Sequence, residues 1–324
     1  MSTNTMKETN LSIGFGTAAI GRPQYINIRA ASTLPFTLDV FRKKGLELLE
    51  VAYQEGVRYF DTAPGYGVAE EMLIHWANQK KDPSIEIATK WGYTYTANFD
   101  PLAKQHEVKE HSLAKLDEQW EQSRKLLPYL STYQIHSATL ETQVLENRRI
   151  LARLAELKQQ HSLHIGLTTT GANQIEVLQK ALEVQVHGNP LFDAFQVTYN
   201  IFDQSLANVS EDLFRQNKRI IVKEALANGR VFPNDDYPHY SSSYTFLQQL
   251  ASKYQVGIDA IALRFCLQTV RPFTVLSGAN NSDHLLSNLE VNKFMLSEGE
   301  IKKLQQMAIP PEAYWTERKR LAWN

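Results

Sequence analysis

The sequence predicts a (β/α)₈ (TIM) barrel, with residues 1–324 forming a single domain. Three observations carry this expectation. Short apolar runs alternate eight times with amphipathic helical runs, the order of a parallel barrel. The apolar runs are nearly continuous, as strands buried on both faces must be. No G-x-G-x-x-G follows any strand, so the main rival, a doubly wound dinucleotide-binding sheet, lacks its fingerprint.

In chain order, residues 12–17 form strand one, where Gly14 and Gly16 keep the backbone accessible. A helix over 38–55 follows, with Val40, Leu46, Leu49 and Ala52 near helical spacing. Strand two is 57–60 and its helix 69–78; strand three is 85–89. A long polar segment then runs from Tyr93 to Lys109, ahead of a helix over 112–127. Strand four is 132–135, and the helix over 141–160 aligns Leu145, Ile150, Leu154 and Leu157. Strands at 164–167, 194–197 and 219–222 alternate with helices at 173–184 and 212–217. Helices at 243–254 and 259–269 precede strand eight, 273–276, and 283–294 is the last barrel helix. Ser297 with Glu300 three residues on has the spacing of a capping box for one more helix.

Composition removes several functions. Lys and Arg number 34 against 35 Asp and Glu, for a formal charge of −1. No broad polybasic surface can form, so nucleic acid is not an expected partner. The single cysteine, Cys266, cannot make an internal disulfide, which fits a reducing compartment. The start, Ser2-Thr3-Asn4-Thr5, lacks an apolar signal core. No run approaches the roughly 18 apolar residues of a membrane span. The expectation is a cytoplasmic protein with no membrane partner.

The chemistry begins at Arg58-Tyr59-Phe60-Asp61-Thr62-Ala63-Pro64-Gly65-Tyr66-Gly67. A strand runs into Asp61, and a turn then presents Tyr66. In a parallel barrel that strand end faces the active site. A free Tyr titrates near 10, so it needs a nearby cation to handle protons at neutral pH. Strand three ends Ala88-Thr89-Lys90, and strand four ends Gln134-Ile135-His136. Three consecutive strands thus deliver Asp61, Lys90 and His136 to one rim, beside Tyr66. Each alone has an ordinary structural explanation; together they point to shared chemistry. Lys90 is expected to lower the Tyr66 pKa, Asp61 to hold Lys90, and His136 to orient a carbonyl oxygen. A Tyr that protonates a carbonyl oxygen performs half of a carbonyl reduction. The other half is a hydride, which no side chain supplies, so a nicotinamide cofactor is implied.

At these motifs the chain resembles the aldo-keto reductase family over essentially its whole length. The matching stretches are Phe60-Asp61-Thr62-Ala63 with Tyr66-Gly67, Ala88-Thr89-Lys90, Tyr133-Gln134-Ile135-His136, His164-Ile165-Gly166-Leu167, Gln196-Val197-Thr198-Tyr199-Asn200, and Ser277-Gly278-Ala279 leading to Asn288. The resemblance implies an NAD(P)-dependent oxidoreductase that reduces aldehydes or ketones, or oxidises a sugar hydroxyl in reverse. Asp61, Tyr66, Lys90 and His136 would be catalytic. Gly16, Thr17, Asp61, Thr168, Gln196, Lys223, Leu226, Ser277, Gly278, Ala279, Asn280, His284 and Asn288 would hold the cofactor, Gln196 through the nicotinamide carboxamide. The family often has Ser-Asn where Thr168-Thr169 stand, and an aromatic over the nicotinamide where Lys223 stands. A cation there favours the reduced cofactor.

The resemblance favours NADP(H). The run 275–284, however, has no Lys or Arg and carries Asp283, so NAD(H) is expected to serve as well. Arg230 is a basic residue that could reach a 2′-phosphate. His106 and His111 are five apart and read as loop residues rather than a metal site. The long segments 21–37 and 93–107, with Trp91 just ahead of the second, supply Tyr25, Trp91, Tyr93, Tyr95 and Phe99, an aromatic lining. The tail with Tyr314, Trp315 and Trp323 either folds back over the barrel or meets a second subunit, leaving a homo-oligomer open. Two rivals stand beside a reductase of small carbonyls or sugars: a cofactor-binding sensor of the same fold, and a Schiff-base lyase using Lys90.

Overall fold

The computed structural model describes residues 13–24, 27–28, 37–100 and 102–323. Ser2 to Thr5, Ser12 and Tyr25 lie outside them. Eight strands pair in parallel: β1 (Ile13–Gly16), β2 (Tyr59–Asp61), β3 (Glu86–Trp91), β4 (Leu130–Ala138), β5 (His164–Thr169), β6 (Ala194–Thr198), β7 (Arg219–Lys223) and β8 (Thr274–Ser277). They close into a barrel, with β8 returning to β1. Strand alternation sends Phe15, Phe60, Ile135, Leu167, Phe195, Val222 and Val275 outward, where they join one apolar cluster with the surrounding helices. Inward, Tyr59, Ala88, Ala194 and Ile221 fill the middle, and Arg219 pairs with Glu86 at 2.8 Å. The barrel is therefore a packed core, with the Arg219–Glu86 pair where the strands start and Asp61 and Lys90 at the rim where they end.

The helices used below are α1 (Leu38–Gln54), α2 (Ala69–Lys80), α3 (Leu113–Ser123), α4 (Arg148–His161), α5 (Gln174–Leu182), α6 (Ala207–Arg215), α7 (Ser241–Tyr254), α8 (Ile258–Val270), α9 (Ser282–Leu289), α10 (Glu298–Gln305) and α11 (Pro311–Lys319). Side-chain caps set several starts: Ser112 for α3, Asn147 for α4 and Asn281 for α9. The Ser297–Glu300 capping box of α10 is present.

Some boundaries differ from expectation. The run expected as one helix over 141–160 starts at Arg148, because Asn147 caps it; Val144–Glu146 is a separate 3-10 turn. α6 begins at Ala207 rather than 212, on a face that buries Ser210 and Leu213. The polar segment after β3 contains a hairpin, Tyr93–Tyr95 paired with Glu107–Lys109. The tail folds back over the barrel: α11 buries Tyr314 and Trp315, Asn200 donates to the Tyr314 hydroxyl at 2.9 Å, and Trp315 donates to Asp203 at 3.1 Å. Among the described residues no helix is long and apolar enough to cross a membrane.

Candidate active site

Asp61 ends β2, beside Gly16 of β1 in register. Its carbonyl accepts both the Thr17 amide, at 2.9 Å, and the Thr17 hydroxyl, at 3.0 Å. The loop beyond it is held by a glycine. Gly67 has φ +62°, and a Cβ there would stand 2.3 Å from the Gly21 carbonyl oxygen. That close approach fixes Tyr66, which is 8% exposed.

Lys90 comes from β3 and is fully buried. Its ammonium donates to Asp61 Oδ2 at 2.5 Å and to the Thr62 carbonyl at 3.0 Å, and it lies 4.7 Å from the Tyr66 ring centroid. The second Asp61 oxygen accepts from Gln196 Nε2 at 2.7 Å. A buried ion pair costs heavily in desolvation unless both ions are well bonded, and this one is.

His136 is half-buried at the end of β4. Its ring meets Tyr66 edge-on at 5.5 Å and tilts against Tyr93 at 4.6 Å. The β4–β5 register slips between Ile135 and Ala138, and Ser137 adopts φ +53°. Side chains brace this irregular turn. His111 Nε2 donates to the His136 carbonyl at 2.9 Å, and the Ser137 amide donates to Thr168 Oγ1 at 2.7 Å. Lys109 donates to the Ser137 carbonyl at 2.9 Å. Thr168 is thus bonded beside His136, whereas Thr169 donates to Gln174 behind the sheet.

The electrostatics correct one expectation. Lys90 does not bring the Tyr66 phenol down; burial, and then the Asp61 charge, raise its pKa well above 10, with Arg22 opposing them. Lys90 is too tightly engaged with Asp61 to prevail over burial. Tyr66 is accordingly protonated at neutral pH. His136 is held well below the usual histidine range by burial first, then by Lys90, Arg22, Lys223 and His111, so its imidazole is neutral. His111 is pulled down to about 4, chiefly by burial.

The second half of the rim is more open. Lys223 ends β7 and faces the lumen two residues beyond Ile221. Among the described residues its side chain makes no hydrogen bond or ion pair, while its carbonyl accepts the Tyr199 amide at 3.4 Å. Its neighbour Glu224 bonds Arg318 of α11 at 2.7 Å instead. Burial pushes the Glu224 carboxyl up, but Arg318 and Lys223 outweigh it and hold the pKa at about 2. Leu226 is half-buried, just ahead of the turn Ala227–Gly229.

After β8, the Ser277 hydroxyl bonds Asn288 at 2.6 Å and accepts the Ala279 amide at 3.3 Å. Asn288 in turn donates to Asp259 at 2.6 Å, so it braces the loop from behind. Gly278, Asn280 and His284 are exposed, and the His284 amide caps on Asn281 at 2.9 Å.

Arg230 is not available to a phosphate. It is fully buried and bonds Glu317, at 3.1 Å, and the Ala227 and Tyr314 carbonyls. Trp91 does not line the site either; it faces outward against His111. Tyr93 and Tyr95 lie on the hairpin beside the site, and Phe99 packs on Tyr95 at 5.4 Å. Among the described residues no cluster of three His, Cys, Asp or Glu could hold a metal. Lys109, His111 and Arg22 have no expected place at the site in the sequence, because each acts through a loop or strand-end contact with no local pattern; Thr17, expected under the cofactor, is bonded to Asp61. Arg22 bonds Glu107 at 2.7 Å and the Gly65 carbonyl at 3.2 Å, and lies 5.0 Å from the Trp323 ring.

Comparison with known proteins decides the family. The sequence model of the Aldo/keto reductase family matches residues 12–309. The chain belongs to the aldo-keto reductase family. It is an oxidoreductase of that family, whose members use NAD(P)H. Among its relatives is the NADH-specific methylglyoxal reductase of Escherichia coli (strain K12), 23% identical over 299 residues, covering 83% of this chain and 89% of that protein. The uncharacterized oxidoreductase YqkF of Bacillus subtilis (strain 168) is 24% identical over 300 residues, with the same coverage of 83% and 89%. The fold matches the holo form of aldo-keto reductase AKR11C1 from Bacillus halodurans, with a TM-score of 0.67, 20% identity and 92% of each chain covered. It also matches the glycerol dehydrogenase AKR11B4 from Gluconobacter oxydans, with a TM-score of 0.68, 20% identity, and 91% and 90% covered.

Proposed function

We propose that this aldo-keto reductase reduces small aldehydes or ketones to alcohols, or oxidises a sugar hydroxyl in reverse, with Tyr66 as the proton donor. The observation that carries the reading is the convergence of Tyr66, His136 and the buried Lys90–Asp61 pair on one rim. Tyr66 holds its proton at neutral pH and can pass it to a carbonyl oxygen as charge develops there. A neutral His136 can hydrogen-bond that oxygen and fix its direction. Lys90, held by Asp61 and Thr62, places a positive charge beside the phenol as it becomes phenolate. Full burial and the Asp61 bond leave Lys90 no access as a Schiff-base nucleophile, which favours the reductase over the lyase.

The rim also suits a nicotinamide nucleotide, which when bound supplies the hydride. The carboxamide would meet Gln196 and Thr168 near Asp61, above Gly16 and Thr17, with Lys223 and Leu226 along its length. A phosphate would meet the amides and side chains of Ser277, Gly278, Ala279, Asn280 and His284 at the start of α9, with Asn288 holding Ser277. Nothing lies within 4 Å of where a Gly278 Cβ would be, so the loop is open to a ligand. With no Lys or Arg in that loop, NAD(H) is usable alongside NADP(H). The name of the Escherichia coli relative supports both NADH and a small carbonyl.

The test is a panel of aldehydes, ketones and sugars with each nucleotide, followed by the absorbance of the reduced nicotinamide. Wild type should turn over at least one class well above the Tyr66→Phe background. Equal rates in the two proteins would favour the sensor.

A further inference from the structure

The hairpin after β3 pairs Tyr93 with Lys109 and Tyr95 with Glu107. Those four side chains therefore share one face, and Thr94 and Val108 share the other. The first face is the one turned to the site: Tyr93 packs on His136 at 4.6 Å, and Glu107 bonds Arg22 at 2.7 Å. Val108, on the opposite face, is 39% exposed.

Lys109 is half-buried on the inner face. Its ammonium donates to one protein atom, the Ser137 carbonyl at 2.9 Å. Among the described residues it has no ion-pair partner. Glu107, two residues away, is held by Arg22. Glu141 and Glu107 act on Lys109 only at a distance. An ammonium has three N–H donors, so two remain. A neutral substrate that displaced water here would leave a half-buried cation with only the distant Glu107 and Glu141 to offset it.

The spacing defines what fits. Lys109 Nζ is 5.5 Å from the Tyr93 centroid, and that centroid is 4.6 Å from the His136 ring. The ammonium is thus no more than about 10 Å from the imidazole, and hydrogen bonds of about 3 Å at each end leave at most about 4 Å of substrate between them. We propose that Lys109 receives a carboxylate on the substrate, so that the preferred carbonyl compound is a short aldehyde acid or oxo-acid held between His136 and Lys109. This rests on the reductase reading above. A single Lys with one donor already engaged suits a singly charged carboxylate better than a doubly charged phosphate.

The experiment compares succinic semialdehyde with butanal, which has the same carbon count and no charge, in wild type, Lys109→Gln and Lys109→Arg. Gln keeps a donor for the Ser137 carbonyl and removes the charge. Wild type should favour the acid by about tenfold or more in kcat/KM, the range for a hydrogen bond to a charged group. In Lys109→Gln the preference should collapse, mainly through KM, and Lys109→Arg should keep part of it. No preference in wild type, or an equal loss for both substrates in Lys109→Gln, overturns the assignment.

Calorimetric titration with 4-hydroxybutyrate and with 1-butanol reads the site without turnover. The acid should bind wild type and lose affinity in Lys109→Gln. If neither aldehyde is reduced while this difference persists, the reductase reading falls and the carboxylate site stands. If both compounds bind both proteins alike, the site falls.

Discussion

Around β2 and β3 the charged groups of the rim, Asp61 and Lys90, are buried and bonded to each other and to the barrel; beyond β8, Gly278, Asn280 and His284 are exposed on an open loop. Lys90 touches Asp61 and Thr62, Asp61 touches Gln196 and Thr17, and the turn after His136 is pinned by His111, Thr168 and Lys109. Gly278, Asn280 and His284 have no such buried frame. The difference separates two tasks. Proton transfer needs charges placed before the substrate arrives. Nucleotide holding can rely on amides, a helix N-terminus and an open loop.

Breaking the buried half should have the largest effect. Lys90→Met leaves Asp61 as an uncompensated buried charge, which typically costs about 3–5 kcal/mol. Reduction should be abolished, and denaturant unfolding should show a loss of that order. Asp61→Asn combined with Lys90→Met should recover much of the stability and none of the activity. A Lys90→Met protein as stable as wild type would refute the pairing argument.

Behind the same half lies Glu70, fully buried on α2. Thr89 donates to it at 2.5 Å and Ser123 at 2.9 Å. Burial pushes its carboxyl up to about 7, although these hydroxyls oppose the shift. A raised carboxyl pKa means the folded state prefers the protonated form. Its contribution is therefore complete below the unfolded value of 4.5 and is lost as pH rises through about 7. Glu70→Gln should gain on wild type across that window by roughly 3 kcal/mol, at about 1.4 kcal/mol per unit. Unfolding free energies that stay parallel from pH 5 to 8 would show that Glu70 is not so perturbed.

The open half should give the smallest effect. Selecting NADP over NAD a hundredfold needs about 2.7 kcal/mol, and an exposed helix end offers about 0.3–1 kcal/mol. Titration with NADPH and NADH at one ionic strength should therefore show less than a hundredfold preference. Asn280→Arg should tilt it toward NADPH. A stronger preference in wild type, with little gain from Asn280→Arg, would mean that a cation outside the β8 loop holds the phosphate.

The same contrast explains what could be read from the sequence. Strand ends are short apolar runs terminated by a polar residue, so the barrel order and the positions of Asp61, Lys90 and His136 were legible, as was the Ser297 cap. The pKa of Tyr66 was not, because burial of the phenol depends on how the Pro64–Gly67 turn packs against Gly21. Arg230 looked available because charge along the sequence does not show that α11 returns to cover it. The hairpin at Tyr93 and Lys109 was hidden by its polar composition: its inner face serves a site rather than a core. Trp91 was misplaced by a single residue of alternation, which decides between the lumen and the helix layer.

If Tyr66 delivers the proton in a preassembled site, single-turnover kinetics will show it directly. Enzyme saturated with reduced nucleotide is mixed with a good aldehyde substrate, and loss of nicotinamide absorbance is followed in wild type and Tyr66→Phe, with nucleotide Kd measured in parallel. In Tyr66→Phe the chemical step should fall by roughly 10²–10⁴, the loss typical of a missing general acid, with nucleotide affinity essentially unchanged. Equal single-turnover rates in the two proteins would contradict that role for Tyr66.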